Sequence, residues 1–246
     1  MSSHPPIYVI NMAKDTARMA SIASLLEAQG LSFERVEAVV GRELSTERRR
    51  ASFSPFWYYV FMGRAPSDGE LGCNLSHRMI WKMMLDSGQE WAIIFEDDAE
   101  PSASFAQHVS LFESETRGFD LVHFYSLKHP DLFKYKLSNQ SFSMMGYSGA
   151  NPTATAYALR ASGARKLLKF KPIIFANDKW VLARAILGVK CGAIFPFPVG
   201  MHKSHSALST ISGTSLAKRQ GHVLWRMTIL PVLRLVRTLA IKCRDV

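Results

Sequence analysis

Residues Ile7 to Gly41 read IYVI-NMAKDTARMA-SIASLLEAQG-LSFERVEAVV-G, and this stretch decides the fold class. Ile7-Tyr-Val-Ile10 is a short run of strand-favouring residues that ends at Asn11. From Asp15 to Gln29 the apolar positions Met19, Ile22, Leu25 and Leu26 follow helical spacing, and Gly30 is a natural stop. Phe33 to Val40 reads as a second strand, closed by Gly41. A β-α-β opening predicts an α/β fold with a mostly parallel sheet flanked by helices.

The alternation continues downstream. Glu70 to Leu85 reads as a loop entering a helix, with Leu75, Met79, Ile80 and Met83 on one side. Trp91-Ala-Ile-Ile-Phe95 is a strongly apolar strand that runs straight into Glu96-Asp97-Asp98. Helices are predicted over 105–112, 161–170 and 179–187, and strands over 121–124 and 193–195, the last closed by Pro196 and Pro198. Residues 130 to 153 are polar and read as loops with room for a hairpin. Leu44 to Pro66 is less regular and joins Arg48-Arg49-Arg50 to Phe53, Phe56, Trp57, Tyr58, Tyr59 and Phe61. These rings either pack on the core or form a lid or acceptor platform, since aromatic faces stack on sugar rings.

Composition bounds the class. Of 246 residues 48% are hydrophobic and 20% charged, which excludes general disorder. No apolar run approaches the roughly 18 residues of a spanning helix. Met1 to Pro6 has no basic segment leading into an apolar one, so a cytoplasmic location is expected. Cys73, Cys191 and Cys243 are too scattered for a disulfide framework, and Cys73 reads more readily as a small buried residue than as a nucleophile.

The formal charge of +10 is concentrated at the C-terminus, where Lys218 to Val246 holds seven basic residues against one acid. A catalytic domain over 1–215 and a separate tail over 216–246 follow. Arg219, Arg226, Arg237 and Arg244 fall within roughly 20° on a helical wheel. Aliphatic residues cover much of the remaining surface, and Pro231 splits the segment in two. Such a helix suits an anionic bilayer, at about 1 kcal/mol per basic residue near the surface. Packing on the catalytic domain is the alternative. Trp225 is the tail's single aromatic, which argues against nucleic acid.

Glu96-Asp97-Asp98 is the sharpest chemical signal. Three adjacent carboxylates repel one another, and folding tolerates them best when a cation or several hydrogen bonds neutralise them. They close a strand, where ligands of open α/β sheets gather. Oxygen ligands with no cysteine or clustered histidine favour Mg²⁺ or Mn²⁺ over Zn²⁺. Alone, the string reads more readily as a solvated acidic loop.

It does not stand alone. Gly69-Glu-Leu-Gly-Cys-Asn-Leu-Ser-His77 precedes it, and Ala156-Tyr157, Gly163-Ala164-Arg165-Lys166-Leu167-Leu168 and Asn177-Asp178 follow. With Val9-Ile10-Asn11, Arg18, Phe33, Ala38 and Gly41, this ordered set resembles glycosyltransferase family 25, the lipooligosaccharide galactosyltransferases. The resemblance spans roughly residues 7 to 200. It implies a GT-A-like (Rossmann-like) fold, a UDP-sugar donor (usually UDP-galactose), a glycan or glycolipid acceptor, Mn²⁺ or Mg²⁺, and inversion to a β-linkage. It places the metal on Asp98, and Glu96 or Asp97 near the ribose or a metal-bound water. It sets Asn11 and Arg18 by the nucleotide, with Glu70, Ser76 and His77 lining the donor side. Work at the cytoplasmic face of a bacterial inner membrane, with the tail on the lipid, fits this picture.

Inverting transfer needs a carboxylate to take the acceptor proton. Asp178 is the candidate, with helix N-cap and donor-sugar contact as alternatives, and Asp120 and Asp131 are weaker choices. This chain has Phe175-Ala-Asn-Asp178 where many relatives show a Pro-Val-Asp type segment. His202 and His205 either complete the metal shell, touch the diphosphate, or are ordinary surface residues. The rival readings are another Mg²⁺-dependent phosphate-handling enzyme, a noncatalytic, basic-tailed membrane-binding protein, and a transferase-like protein that has lost activity. Nothing supplies a D-x-D-x-T pattern or a P-loop for the first.

Overall fold

The computed structural model describes residues 4–109, 118–126 and 153–202 in full, and 132–135 and 143–147 as backbone. The predicted tail over 216–246, the boundary at 215, His205 and Asp131 lie outside the described residues. Among the described residues no helix is long and apolar enough to cross a membrane.

The opening unit forms as predicted. Strand β1 (Ile7–Asn11) is buried on both faces, helix α1 (Thr16–Glu27) returns over it through Ile22 and Leu26, and β2 (Glu34–Glu37) pairs with β1 in parallel. A strand apolar on both faces belongs inside a sheet covered by helices. Gly30 ends the helical stretch with φ 69°.

Two helices replace the irregular segment expected over 44–66. α2 (Thr46–Ser52) and α3 (Pro55–Met62) each begin at a serine whose hydroxyl accepts a backbone N–H, from Arg48 to Ser45 and from Trp57 to Ser54. Pro55 at the first position suits α3, and Gly63 closes it with a left-handed φ of 71°. The aromatic run then divides. Tyr58 packs with Leu71 and Ile173, and Phe61 meets Phe175, whereas Phe56, Trp57 and Tyr59 face outward.

α4 (Asp68–Asp86) starts in a reciprocal capping box between Ser67 and Glu70. Its second glycine permits a close approach. A Cβ on Gly72 would lie 2.3 Å from the Val39 carbonyl oxygen, and one on Gly41 would lie 1.9 Å from that of Asp68. Ser76 reinforces the contact by accepting from Val39 N–H at 2.8 Å and donating to the Gly72 carbonyl. Gly72→Ala is therefore expected to destabilise the protein by about 3 kcal/mol, the upper end of ordinary overpacking costs, because the clash is with backbone. Chemical denaturation checks it, and an unchanged midpoint would contradict the packing described.

Beyond α4 come β3 (Trp91–Glu96), β4 (Ala99–Pro101), β5 (Leu121–His123), β6 (Leu132–Tyr135), β7 (Ser143–Tyr147) and β8 (Ala156–Arg160). Helices α5 (Ala161–Leu167) and α6 (Trp180–Leu187) follow, then β9 (Cys191–Phe195) and β10 (Val199–Met201). The main sheet has eight strands in the order β2-β1-β3-β8-β5-β9-β7-β6. Six point the same way, as the β-α-β opening predicts, and β7 and β8 are reversed. β6 and β7 form the hairpin for which 130–153 left room. No strand was predicted at β8, yet it sits between β3 and β5. Its sequence, Ala-Tyr-Ala-Leu-Arg, is poor in β-branched residues, so only its position in the sheet makes it a strand.

A second, two-stranded antiparallel sheet joins β4 to β10. Under it the rings of Phe95, Phe105 and Phe124 meet edge to face at 5.4 Å centroid spacing. Each fully buried ring contributes about 2–3 kcal/mol, and together they give the residues after Phe95 a rigid floor.

Candidate functional site

The three carboxylates leave β3 in different directions, and each meets a different environment. Asp97 turns back to β1 and α1. Asn11 donates its side-chain N–H to Asp97 Oδ2 at 2.8 Å and to the Asp15 carbonyl, and its own Oδ1 accepts from Arg35 Nε at 2.9 Å. Arg18 stands 3.5 Å from Asp97 Oδ1. Burial pushes the Asp97 carboxyl up, while Asn11 and Arg18 pull it back toward the ionised form. Asn11 and Arg18, which the resemblance sets by the nucleotide, and Asp97, a candidate for the ribose or a metal-bound water, are thus brought together.

Glu96 turns the other way, under α4. Its Oε1 accepts from His77 Nε2 at 3.1 Å and from the Cys73 thiol at 3.4 Å. His77 is fully buried, and its Nδ1 lies 2.7 Å from the Tyr157 hydroxyl, which accepts from Trp81 Nε1 at 2.9 Å. Burial works against ionising Glu96, yet the bonds from His77 and Cys73 hold its carboxyl below the usual range. The acidic turn, which the sequence presents as oxygen ligands without cysteine or clustered histidine, thus has Cys73 and His77 against Glu96. Separations of 19 and 23 residues hid His77 and Cys73 until α4 folded across β3.

Asp98 has weaker support, from the Arg18 charge and a backbone hydrogen bond. Its Oδ1 is buried and lacks a hydrogen-bond partner among the described residues. Burial, followed by the charges of Glu96 and Asp97, raises its carboxyl to about 7. The β4–β10 register sets Met201 against Ala99, so His202 falls opposite Asp98 and donates its backbone N–H to the Asp98 carbonyl at 3.0 Å. The His202 ring lies 3.7 Å from Glu100 Oε1. Tyr125, which the sequence did not single out, also adjoins this corner: burial and then the Asp98 charge push its phenol up.

The segment before α6 approaches α4 through Asn177. Asn177 exchanges weak contacts with Cys73 Sγ at 3.5 and 3.7 Å, which anchors the 177–178 backbone beside α4. Asp178 does not cap α6, whose N-cap is Lys179 and whose first turn has no side-chain cap. Its carboxylate accepts from Lys179 Nζ at 2.9 Å. Burial raises it, Lys179 opposes this, and the charges of Glu70 and Glu96 add to the rise.

Three other residues are placed away from these roles. Both Glu70 oxygens accept from Arg64 at 2.5 Å, and Oε2 also accepts from Ser67 N–H, so its carboxylate is committed to the helix cap. Ser76 is committed to Val39 and Gly72, on the β2 side of α4. Asp120 precedes β5, which runs in the same direction as β3, so it lies at the opposite end of the sheet from Glu96. There it accepts from Lys166, Ser162 and the Lys190 backbone, a structural role.

The acidic turn, the α4 block and Asp178 all fall inside residues 4–181, which match the family model described as glycosyltransferase family 25 (LPS biosynthesis protein). The chain belongs to glycosyltransferase family 25. A glycosyltransferase 25 family member from Aedes aegypti is 30% identical over 174 residues, covering 68% of this chain and 28% of the relative. One from Drosophila melanogaster is 30% identical over 173 residues, with the same coverage. The human protein named inactive glycosyltransferase 25 family member 3 is 29% identical over 174 residues, covering 68% of this chain and 29% of its own. The chain thus spans less than a third of the length of these family 25 relatives. Since one of them is named inactive, membership alone does not carry a reaction, which depends on the side chains present.

Proposed function

We propose that this family 25 chain is a metal-dependent, inverting glycosyltransferase on a GT-A-like scaffold, moving galactose from UDP-galactose to a glycan or glycolipid acceptor. The observation that carries this reading is the buried, unpartnered Oδ1 of Asp98, on a carboxyl that feels the charges of Glu96 and Asp97. An anionic oxygen in that position is costly unless a cation offsets it. The donor set fits a hard divalent ion, Mn²⁺ or Mg²⁺, held by Asp98 with His202 as second protein ligand. Bound there, the ion supplies charge neutralisation for a leaving diphosphate.

The remaining roles belong to the chain. Asn11, Arg18 and Asp97 form a prearranged bracket at the mouth of β1, suited to a nucleotide's ribose and base edge. His77 orients Glu96 and keeps it ionised. Asp178 takes the proton of the acceptor hydroxyl as that oxygen bonds to the sugar's anomeric carbon and the bond to the diphosphate breaks, releasing UDP. The exposed faces of Phe56, Trp57 and Tyr59, on a helix packed against residues 173–175, suit an acceptor sugar. Galactose as the donor sugar rests on the family resemblance. Within this reading the basic tail holds the chain to an anionic membrane surface on the cytoplasmic side, beside a lipid-anchored acceptor.

Titration calorimetry with UDP-galactose, UDP-glucose and UDP-N-acetylglucosamine tests the core of it. Mn²⁺ is expected to tighten binding of the true donor at least about tenfold, or about 1.4 kcal/mol. If neither Mn²⁺ nor Mg²⁺ promotes binding of any of the three, the transferase reading fails.

A further inference from the structure

We propose that Cys73, His77 and Glu96 form a second cation site, selective for a thiophilic ion of the zinc class and distinct from the hard-oxygen site at Asp98. Cys73 and His77 stand one turn apart on α4, so both project from one helix face over the end of β3. Their ligand atoms and a Glu96 oxygen all lie within 4.8 Å of one another. The Cys73–Glu96 and His77–Glu96 separations are 3.4 and 3.1 Å. Tetrahedral zinc, with bonds of about 2.0–2.3 Å, sets neighbouring ligand atoms about 3.3–3.6 Å apart. Two edges of the required triangle are therefore nearly in place before any ion arrives.

Charge and outer contacts point the same way. A thiolate, a carboxylate and a neutral imidazole balance a divalent cation, leaving a buried site with no net charge. On binding, the thiol proton leaves to the buffer. The imidazole proton moves to Nδ1, where the Tyr157 oxygen accepts it, and this frees the Nε2 lone pair. Trp81 Nε1 already fixes that tyrosine oxygen, which orients the ring in the way metal-bound histidines require. Asn177 Oδ1, 3.7 Å from Cys73 Sγ, borders the fourth position. The Glu96 side chain keeps 28% of its surface exposed, giving the ion a route from solvent. Mg²⁺ has no use for a thiolate, so the two sites sort hard from soft ions. The inference does not depend on the transferase reading.

Cobalt is the probe, added to the full chain, with zinc competing and a chromophoric chelator setting the affinity. One equivalent of Co²⁺ should give thiolate-to-cobalt charge-transfer absorption and strong tetrahedral visible bands, both discharged by Zn²⁺. Asp98→Ala should retain them, and Cys73→Ala should lose them and weaken zinc more than about 100-fold, beyond the range of an outer-contact mutation. If Cys73→Ala does not fold, Glu96→Gln serves instead: the charge-transfer band should persist with zinc affinity reduced at least about tenfold. No charge-transfer band in the parent chain, a band that survives Cys73→Ala, or zinc affinity unchanged in the variant used overturns the site.

Discussion

Asp98→Asn is expected to abolish metal-dependent turnover, by about 10³-fold or more in kcat, and at the same time to stabilise the metal-free protein at pH 8. The two effects share one cause. The Asp98 carboxyl is raised from its ordinary value to about 7, by burial first and then by Glu96 and Asp97. A carboxyl raised in the folded state favours folding when protonated. Its contribution is therefore fully present below about pH 4 and is lost as pH rises through 7. At pH 8 the wild-type chain carries this ionised, unpartnered group, and asparagine does not. A gain of about 2 kcal/mol is expected, or a Tm increase of about 4–8 °C for a domain of this size. At pH 4 the gain should vanish. Scanning calorimetry in chelator at both pH values tests the stability arm, and UDP release with Mn²⁺ tests the other. A variant that is less stable than wild type at pH 8, or one that keeps its metal-dependent rate, removes the basis for the proposed ion site.

Asp178→Asn should cost about 10²- to 10⁴-fold in transfer while leaving donor binding essentially intact, the range expected for losing a positioned general base. The structure supports this by exclusion and by environment. Lys179, not Asp178, holds the N-cap position of α6, and no side chain caps its first turn, so the carboxylate is not used to start that helix. Burial and the charges of Glu70 and Glu96 raise it, which strengthens its ionised form as a base even though Lys179 works the other way. The substitution keeps the shape and an oxygen for Lys179. Because a base must be ionised to act, the wild-type rate should rise with pH through the raised Asp178 titration, and the residual rate of the variant should lack that limb. Steady-state rates against pH, together with calorimetric donor affinity, read both outcomes. Full activity in Asp178→Asn would assign the base elsewhere, and weakened donor binding with normal turnover would make Asp178 a donor contact.

Much of this was legible locally. The β-α-β opening, α4 and the apolar strand into the acidic turn appear in the amino-acid pattern because neighbours a few residues apart encode strand and helix periods. What was misplaced followed from distance in sequence. Glu70 and Ser76 share a block with Cys73 and His77, yet Glu70 closes a helix cap and Ser76 pins α4 to Val39, while Cys73 and His77 reach the acidic turn. Which face of α4 met which neighbour depended on Gly41 and Gly72 letting the helix settle against residues 39–41. The helices within 44–66 were signalled by Ser45, Ser54, Pro55 and Gly63, but the basic and aromatic runs masked the caps.

By itself, then, the sequence determined the alternating α/β class, the strand that delivers three carboxylates, and the family to which the chain belongs, since these are written in short-range pattern and ordered motifs. Only the tertiary structure decided that β8 runs backwards between β3 and β5, that His202 faces Asp98, and that the acidic triplet divides. One carboxylate goes to Asn11 and Arg18, one to His77 and Cys73, and one keeps a buried oxygen, Asp98 Oδ1, without a hydrogen-bond partner among the described residues. The reason is physical: those pairings join residues 19 to more than 100 positions apart, and packing across the sheet, not local preference, selects them.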